Sequence, residues 1–214
     1  MSSVAVIDYG MGNLHSIEKA LQHAAPEVDV RIVSDSKSIH QCDRILFPGV
    51  GAIRDCIKAL DSSGLTPIIK DVVQTKPFLG ICLGMQALLS DSEENDLTTC
   101  FGIFSGHVKH FSTDLTDAAN NRLKIPHMGW NKVLQKPHPL WEGIPQNSRF
   151  YFVHSYYAKP ENESDIIATT DYPKAFTSAL AKDNIFAVQF HPEKSQAVGL
   201  QLLKNFLSWD GTTY

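Results

Sequence analysis

The feature that most constrains the fold of this sequence is the stretch 77–86, Pro-Phe-Leu-Gly-Ile-Cys-Leu-Gly-Met-Gln. The apolar run 78–81 predicts a buried strand, and the residues after Gly84 predict a helix. Gly80 and Gly84 flank Cys82 symmetrically, because a sharp turn leaves room only for hydrogen as a side chain. Such a turn lifts the sulfur out of the sheet, as in a nucleophile elbow with a thiol in place of serine.

Two interpretations of Cys82 are open at this point. Cysteine is among the most buried residue types, so a structural thiol in the core is the ordinary one. The flanking glycines favour a nucleophile instead. In that case the dipole of the following helix would stabilise a thiolate, and backbone N–H groups, first that of Leu83, could bind a developing oxyanion.

Composition limits the class of protein. The 214 residues, 43% of them hydrophobic, predict one globular domain spanning 1–214. A net charge of −4 with interspersed charges argues against nucleic-acid binding. Apolar runs are too short to span a membrane and the start shows no leader pattern, so we expect a soluble, cytoplasmic protein. The four cysteines form no CxxC pair or Cys/His metal spacing, which is typical of free thiols in a reducing compartment.

Strands and helices alternate through the first half of the chain. The predicted strands are 4–7, 28–33, 44–47 and 78–81. This rhythm predicts an α/β fold with a central, mostly parallel sheet and helices on both faces. Functional loops should then lie at the carboxyl ends of the strands.

The loop Pro48-Gly-Val-Gly51 follows the third of these strands. It can be read as a tight strand-to-helix turn. It can also be read as an anion-binding loop, because glycine allows its peptides to turn their N–H groups toward a ligand. One strand before the elbow, it would be placed to supply a second oxyanion donor.

The second half reads as mainly antiparallel. Strands are predicted at 101–108, 132–134, 149–157, 175–181 and 185–190. The polar stretch 112–124 is predicted to be a surface loop, and 126–131 a loop in which Trp130 is either a partner contact or a core residue. Ser195 is predicted to cap a final helix.

A second candidate motif is Gln189-Phe-His-Pro-Glu193. His191 and Glu193 are two residues apart, so in extended backbone both side chains face the same way. A carboxylate fixes the tautomer of an imidazole and stabilises its cationic form. With Cys82, these residues would form a Cys/His/Glu triad that transfers an acyl group to water through a thioester.

The stretches 80–86 and 189–193 together resemble the class I, or triad, glutamine amidotransferases. Within that family, the stretches 8–14, 48–51, 126–131 and 151–156 are similar to the glutaminase subunits of imidazole glycerol phosphate synthases. The resemblance spans nearly the whole chain and implies a flavodoxin-like α/β fold with a C-terminal antiparallel portion. The polar segment around 112–121 looks longer than is usual in this family.

The resemblance also implies roles. Cys82 would attack the side-chain amide of glutamine, His191 would protonate the departing ammonia, and Glu193 would orient His191. The implied oxyanion hole comprises Gly49, Val50, Gly51 and Leu83. The residues implied to hold the backbone end of glutamine are Gln86, His154, Ser155 and Tyr156.

The implied partner is a (β/α)8-barrel cyclase, which forms a heterodimer with the glutaminase and uses its ammonia in histidine biosynthesis. Ammonia would be lost in bulk water, so a sealed interface is expected. The implied interface residues are Asn13, Trp130, Tyr151 and Lys194. The chemistry requires no metal or organic cofactor, since the nucleophile and the base are both side chains.

Other functions remain open on the sequence. A paralogous glutaminase could feed the amidation of a surface sugar. Glutaminases of anthranilate or aminodeoxychorismate synthases share the triad but lack the 8–14 and 126–131 patterns. A stand-alone Cys/His/Glu hydrolase would act without a partner. A catalytically inactive structural subunit is disfavoured by the intact Cys82, His191 and Glu193.

Overall fold

The computed structural model describes residues 2–112, 114–116 and 120–213. The strands are β1 (Ser3–Ile7), β2 (Asp29–Val33), β3 (Arg44–Gly49), β4 (Phe78–Cys82), β5 (Asp91–Ser92), β6 (Thr98–Thr99), β7 (Gly106–His110), β8 (His127–Lys132), β9 (Leu134–Gln135), β10 (Arg149–His154), β11 (Tyr156–Pro160), β12 (Ile166–Asp171), β13 (Ala175–Lys182) and β14 (Ile185–Val188). The α-helices are α1 (Leu14–Ala24), α2 (Ser36–Gln41), α3 (Ile53–Ser62), α4 (Leu65–Val72), α5 (Leu83–Gln86) and α6 (Gln196–Ser208).

One large mixed sheet organises the molecule. Its order is β2-β1-β3-β4-β14-β13-β11-β7-β5-β6, with β12 paired to β13 and β9. The pairs from β2 to β14 are parallel, and the pairing turns antiparallel at β13. This arrangement confirms the predicted α/β class, with a mostly parallel centre and a C-terminal antiparallel portion.

Two hydrophobic cores lie on opposite faces of the parallel half. Successive residues of β1 alternate between them, with Val4 and Val6 in one and Ala5 and Ile7 in the other. Helices α1 and α6 cover the first face, while α2, α3 and α4 cover the second. A strand buried on both faces reads as a continuous apolar run, which is why the sequence identified these strands.

The prediction of a loop at 126–131 was wrong. Residues 127–131 lie in β8, which pairs with β10 in a separate two-stranded antiparallel sheet, called the ribbon below. The single strand predicted at 149–157 is also divided at Ser155: β10 lies in the ribbon and β11 in the main sheet. Both errors have one cause, because strand pairing depends on residues distant in sequence.

Other boundaries also differ. The strand predicted at 101–108 begins only at Gly106, and the sequence did not predict α4 or β12. In the predicted loop 112–124, residues 113 and 117–119 lie outside the described residues. Among the residues that the structure describes, no helix is long and apolar enough to cross a membrane.

Candidate active site

The elbow around Cys82 carries backbone strain at the cysteine itself. Cys82 has φ +55° and ψ −108°, a backbone conformation that residues other than glycine rarely adopt. Gly84 is needed for close approach, since a Cβ there would lie 2.1 Å from the Phe47 carbonyl oxygen. At Gly80 a Cβ would lie 3.2 Å from the backbone of Gly84. The glycines therefore allow the strand and turn to pack closely, and the strain falls on the nucleophile candidate.

The helix expected after the elbow is much shorter than predicted. α5 has only four residues, 83–86, before the chain continues in turns. A single turn aligns few peptide dipoles, so little of a full helix macrodipole acts on the sulfur. The dipole of the following helix, which the sequence analysis expected to act at Cys82, is therefore small in this structure.

His191 and Glu193 meet, but not in extended backbone as predicted. Pro192–Lys194 is a 3₁₀ turn, and proline favours such a turn because its φ is already fixed near the required value. His191 Nδ1 lies 2.8 Å from Glu193 Oε1, with side chains 3% and 2% exposed. The carboxylate accepts the Nδ1–H, so Nε2 is left as the ring atom that can exchange a proton with substrate.

Ser195 stands at the N-cap position of α6, but its side chain does not cap the helix as predicted. Its Oγ donates to the His191 carbonyl (2.7 Å) and accepts from the Tyr151 N–H (3.0 Å). The His191 N–H in turn donates to the Tyr151 carbonyl (2.9 Å). The ribbon strand β10 thus fixes the backbone that carries His191.

The charge on His191 is set by its neighbours. Burial lowers the pKa of the ring, but the Cys82 thiolate and the Glu193 carboxylate more than offset this and raise the pKa to about 10. The protonated form of the His191 ring is therefore favoured at neutral pH. Because the folded pKa lies above the unfolded value, this ionisation stabilises the fold fully below about pH 6.5 and is lost as pH rises through about 10.

Glu193→Gln should lower the pKa of His191, because the amide keeps an acceptor oxygen but removes the negative charge. We expect kcat/KM for glutamine hydrolysis to fall by about 100-fold at pH 8, the lower end of a general acid–base contribution, because the imidazole itself is retained. The alkaline limb of the pH profile should also move to lower pH than in the wild type. Superimposable profiles of kcat/KM between pH 6 and 10.5 would contradict this role of Glu193.

A cavity of about 420 Å³ opens beside Cys82 and His191. It is lined by Val50, Gly51, Cys82, Leu83, Gln86, Glu94, Pro126, Val153, His154, Ser155, Tyr156, His191 and Lys194. Three of the four predicted oxyanion residues, Val50, Gly51 and Leu83, line this cavity. Gly49 does not, because it is buried in β3 opposite Cys82. A larger groove of about 900 Å³ shares Pro126 with this cavity but contains none of the predicted catalytic residues.

All four predicted glutamine-binding residues line the cavity, but two are already engaged. His154 uses both ring nitrogens within the protein, toward His127 (2.9 Å) and the Tyr156 carbonyl (2.7 Å). Gln86 Nε2 donates to the same carbonyl (3.0 Å) and to Gln189 Oε1 (2.9 Å). His154 therefore shapes the wall of the cavity and has no ring nitrogen free for a ligand.

Two further polar residues at the site were missed by the sequence analysis. Gln189 is fully buried, and its Nε2 lies 3.7 Å from Cys82 Sγ. Glu94 lines the cavity while its Oε2 accepts the Ile53 N–H (2.9 Å). Gln189 belongs to the 189–193 motif and could have been named from it, but Glu94 has no sequence signal.

The predicted interface residues lie in three places. Trp130 and Tyr151 are opposite each other in the ribbon, with ring centroids 6.1 Å apart. Lys194 lines the cavity, and Asn13 is exposed at the N-cap of α1, just after the carboxyl end of β1. Trp130 is 43% exposed, so it is not the core residue that the alternative interpretation allowed.

The other three cysteines are structural thiols in the core. Cys42, Cys56 and Cys100 are buried free thiols. Burial raises the pKa of Cys56 and of Cys100 to about 12, which keeps both thiols protonated.

The fold is that of an α/β protein, and its candidate site places a cysteine in strained backbone beside a carboxylate-bound histidine. A family model for class-I glutamine amidotransferases matches residues 5–209. The chain belongs to the class-I glutamine amidotransferase family and is therefore an enzyme.

Among the glutamine amidotransferases, the chain is similar to curated subunits of imidazole glycerol phosphate synthases. The chain is 59% identical to the imidazole glycerol phosphate synthase subunit HisH of Methylococcus capsulatus, covering 98% of each sequence. It is 56% identical to the HisH subunit of Nitrosococcus oceani over the full length of both. Among solved structures, a glutamine amidotransferase superposes with a TM-score of 0.71 at 15% identity, covering 95% of this chain and 96% of that one. PurLQS of Thermotoga maritima gives 0.69 at 14% identity, covering 96% and 97%. These structural matches support the fold alone.

Proposed function

We propose that this chain is the glutaminase subunit of an imidazole glycerol phosphate synthase and acts as a single amidotransferase domain. The observation that carries the proposal is the buried His191–Glu193 contact beside the strained Cys82, in a chain whose full-length relatives bear that name. The substrate is glutamine, and the products are glutamate and ammonia.

The first half-reaction forms a thioester. The Cys82 thiolate attacks the side-chain amide carbon of glutamine, and the electron pair of the carbonyl moves to its oxygen. Backbone N–H groups of Val50, Gly51 and Leu83 are proposed to stabilise this oxyanion. As the C–N bond breaks, His191 Nε2–H protonates the departing nitrogen, which leaves as ammonia.

The second half-reaction restores the enzyme. Neutral His191 Nε2 accepts a proton from water, and the resulting hydroxide attacks the thioester carbon. The C–S bond then breaks, leaving a thiolate beside an imidazolium and releasing glutamate. The carboxylate of Glu94 is proposed to bind the α-ammonium group of glutamine, because it brings negative charge to the wall of the cavity.

The partner is proposed to be a (β/α)8-barrel cyclase that consumes the ammonia. Apolar side chains of Val50, Met128 and Trp130 are exposed at or near the cavity, which is unusual for a surface that stays in water. A partner covering this surface would also close the cavity against bulk water. Asn13, Tyr151 and Lys194 are proposed to contribute to the same interface.

The decisive experiment mixes the chain with a histidine-pathway cyclase and its nucleotide substrate, and measures glutamate released per cyclised product. We expect low glutaminase activity from the isolated chain and a ratio near one in the complex. Full activity without a partner would favour a stand-alone hydrolase. Activation only by a sugar-amidating synthase would favour the paralogous function.

Trp130→Ala should weaken binding of that cyclase by about 10- to 100-fold, the usual cost of removing an aromatic anchor. Leu134→Ala is the matched control, since Leu134 is also a large exposed apolar residue but lies on β9, outside the ribbon. Calorimetry would measure both dissociation constants. Equal values for the two variants would remove Trp130 from the interface.

A further inference from the structure

Two buried histidines stand opposite each other at one end of the ribbon. His127 begins β8, His154 ends β10, and the two are direct partners in the strand register. They are 3% and 6% exposed and are surrounded by aromatic rings, among them Phe152 and Phe176. Burial lowers the pKa of His127 to about 4 and of His154 to about 3, so both rings are neutral at physiological pH.

The proton arrangement of the pair is fixed from one end by Tyr156. Its carbonyl can only accept, so His154 Nδ1, 2.7 Å away, must carry a hydrogen. A neutral His154 then has a bare Nε2. His127 Nδ1, 2.9 Å from that atom, must therefore be the donor between the two rings.

The same arrangement follows independently from the other end. Asn131 Oδ1 accepts the Lys132 N–H (2.8 Å) and Nδ2 donates to the Asp171 carbonyl (2.9 Å), which fixes the orientation of the amide. Its second Nδ2 hydrogen faces His127 Nε2 at 3.2 Å. His127 Nε2 must be bare to accept it, which again places the hydrogen on Nδ1.

The chain of hydrogen bonds continues to the nucleophile. The Tyr156 carbonyl that accepts from His154 also accepts from Gln86, and Gln86 donates to Gln189. Gln189 in turn donates to the Cys82 sulfur at 3.7 Å. An unbroken path therefore joins Asn131, next to the exposed Trp130, to the atom that attacks the substrate.

We propose that Asn131, His127 and His154 are positioning residues that form a one-directional hydrogen-bond relay and, through Tyr156, Gln86 and Gln189, orient the Cys82 sulfur. The inference rests on the proposed glutaminase function, because it assigns the relay a part in that reaction. The relay connects β8 to the Cys82 sulfur, because a shift of β8 would displace Asn131, the donor at the start of the relay.

One pair of variants separates hydrogen bonding from packing. His127→Asn keeps a donor near the position of Nδ1, whereas His127→Leu removes it. In the complex with the cyclase, we expect kcat to fall about tenfold in His127→Leu. In His127→Asn, kcat should fall by no more than about threefold. Thr170→Val is the control, since its buried hydroxyl has no hydrogen-bond partner among the residues that the structure describes. Equal kcat in both His127 variants would overturn the proposal.

A third variant gives a signature that packing alone would not produce. In Asn131→Asp the carboxylate cannot donate, so His127 must take a second proton to keep its Nδ1–H directed at His154. The titratable neighbours are His154 and Tyr172, with His191 acting on His154 from the side of the nucleophile. We expect kcat to acquire a new alkaline decline whose midpoint matches the pKa of His127 measured by NMR. Titration of His127 without any change in kcat would overturn the relay.

Nitrogen NMR of the wild-type chain tests the relay even if the proposed function fails. Both rings should carry hydrogen on Nδ1 and none on Nε2, and any other tautomer overturns the proposal. If no glutamine is hydrolysed even with the cyclase, the glutaminase function is wrong. The rate of alkylation of Cys82 by iodoacetamide, mapped by mass spectrometry, then replaces kcat. We expect it to change severalfold in His127→Leu but not in Thr170→Val, and equal rates would overturn the relay.

Discussion

Cys82→Ala is expected to abolish glutamine hydrolysis, lowering kcat by four orders of magnitude or more, in the range that removal of a nucleophile causes in other hydrolases. No other thiol can replace it, since Cys42, Cys56 and Cys100 are all buried and burial raises the pKa of each, to about 12 for Cys56 and Cys100. Binding of the cyclase should be preserved, because the substitution removes one atom from the cavity wall. Glutamate production in the complex is the measurement.

Cys42→Ala is the matched control for that experiment. Cys42 is fully buried at the end of α2 and does not line the cavity, so its loss should leave glutamate production near the wild-type level. A Cys82→Ala complex that still released glutamate would exclude the thioester mechanism. The dissociation constant of the Cys82→Ala chain for the cyclase, measured by calorimetry, should equal that of the wild type, which would show that the complex itself is intact.

Gly84→Ala is expected to have the largest effect on stability. The new Cβ, on α5, would lie 2.1 Å from the carbonyl oxygen of Phe47. Phe47 belongs to β3, which pairs with β4 in the centre of the sheet, and α5 follows β4 directly, so neither segment can move away without disturbing that pairing. We expect a loss of about 3 kcal/mol in the free energy of unfolding, at the upper end of overpacking costs. For a chain of this length that lowers Tm by roughly 6–12 °C.

Gly102→Ala distinguishes steric overlap from backbone preference. Gly102 has φ +68°, but a Cβ there would lie more than 4 Å from every described residue other than its chain neighbours. We expect only the conformational cost of a left-handed residue, about 1 kcal/mol. Calorimetric unfolding of both variants measures the difference, and equal destabilisation would mean that close approach is not what selects glycine at position 84.

The elbow and the histidine motif were accessible from sequence because each is a local pattern. A strand that is buried on both faces must be apolar throughout, and the close approach after Cys82 admits only glycine. The contact between His191 and Glu193 is similarly set within three residues. Its backbone was nevertheless predicted wrongly, since proline at 192 begins a 3₁₀ turn that brings the carboxylate back to the ring.

The ribbon could not be predicted from the sequence, because its pattern is not local. The residues 126–131 have no period of their own, and 127–131 become a strand only because β10 provides hydrogen-bonding partners. The same pairing fixes the position of His154. This residue lines the cavity, but its ring is already hydrogen-bonded to His127 and to the Tyr156 carbonyl. Glu94, held at the cavity by the N–H of Ile53, likewise depends on a contact 41 residues away in sequence.

The sequence by itself determined the strand–turn–helix around Cys82, the alternating α/β architecture and the residues of the candidate catalytic motif, because each follows from interactions between near neighbours in the chain. Only the tertiary structure decided which groups converge on the sulfur, how His191 is held by the ribbon, and which polar side chains are already paired inside the protein. Those outcomes depend on long-range pairing and burial, and the energy of each such contact exists only once both partners have been brought together.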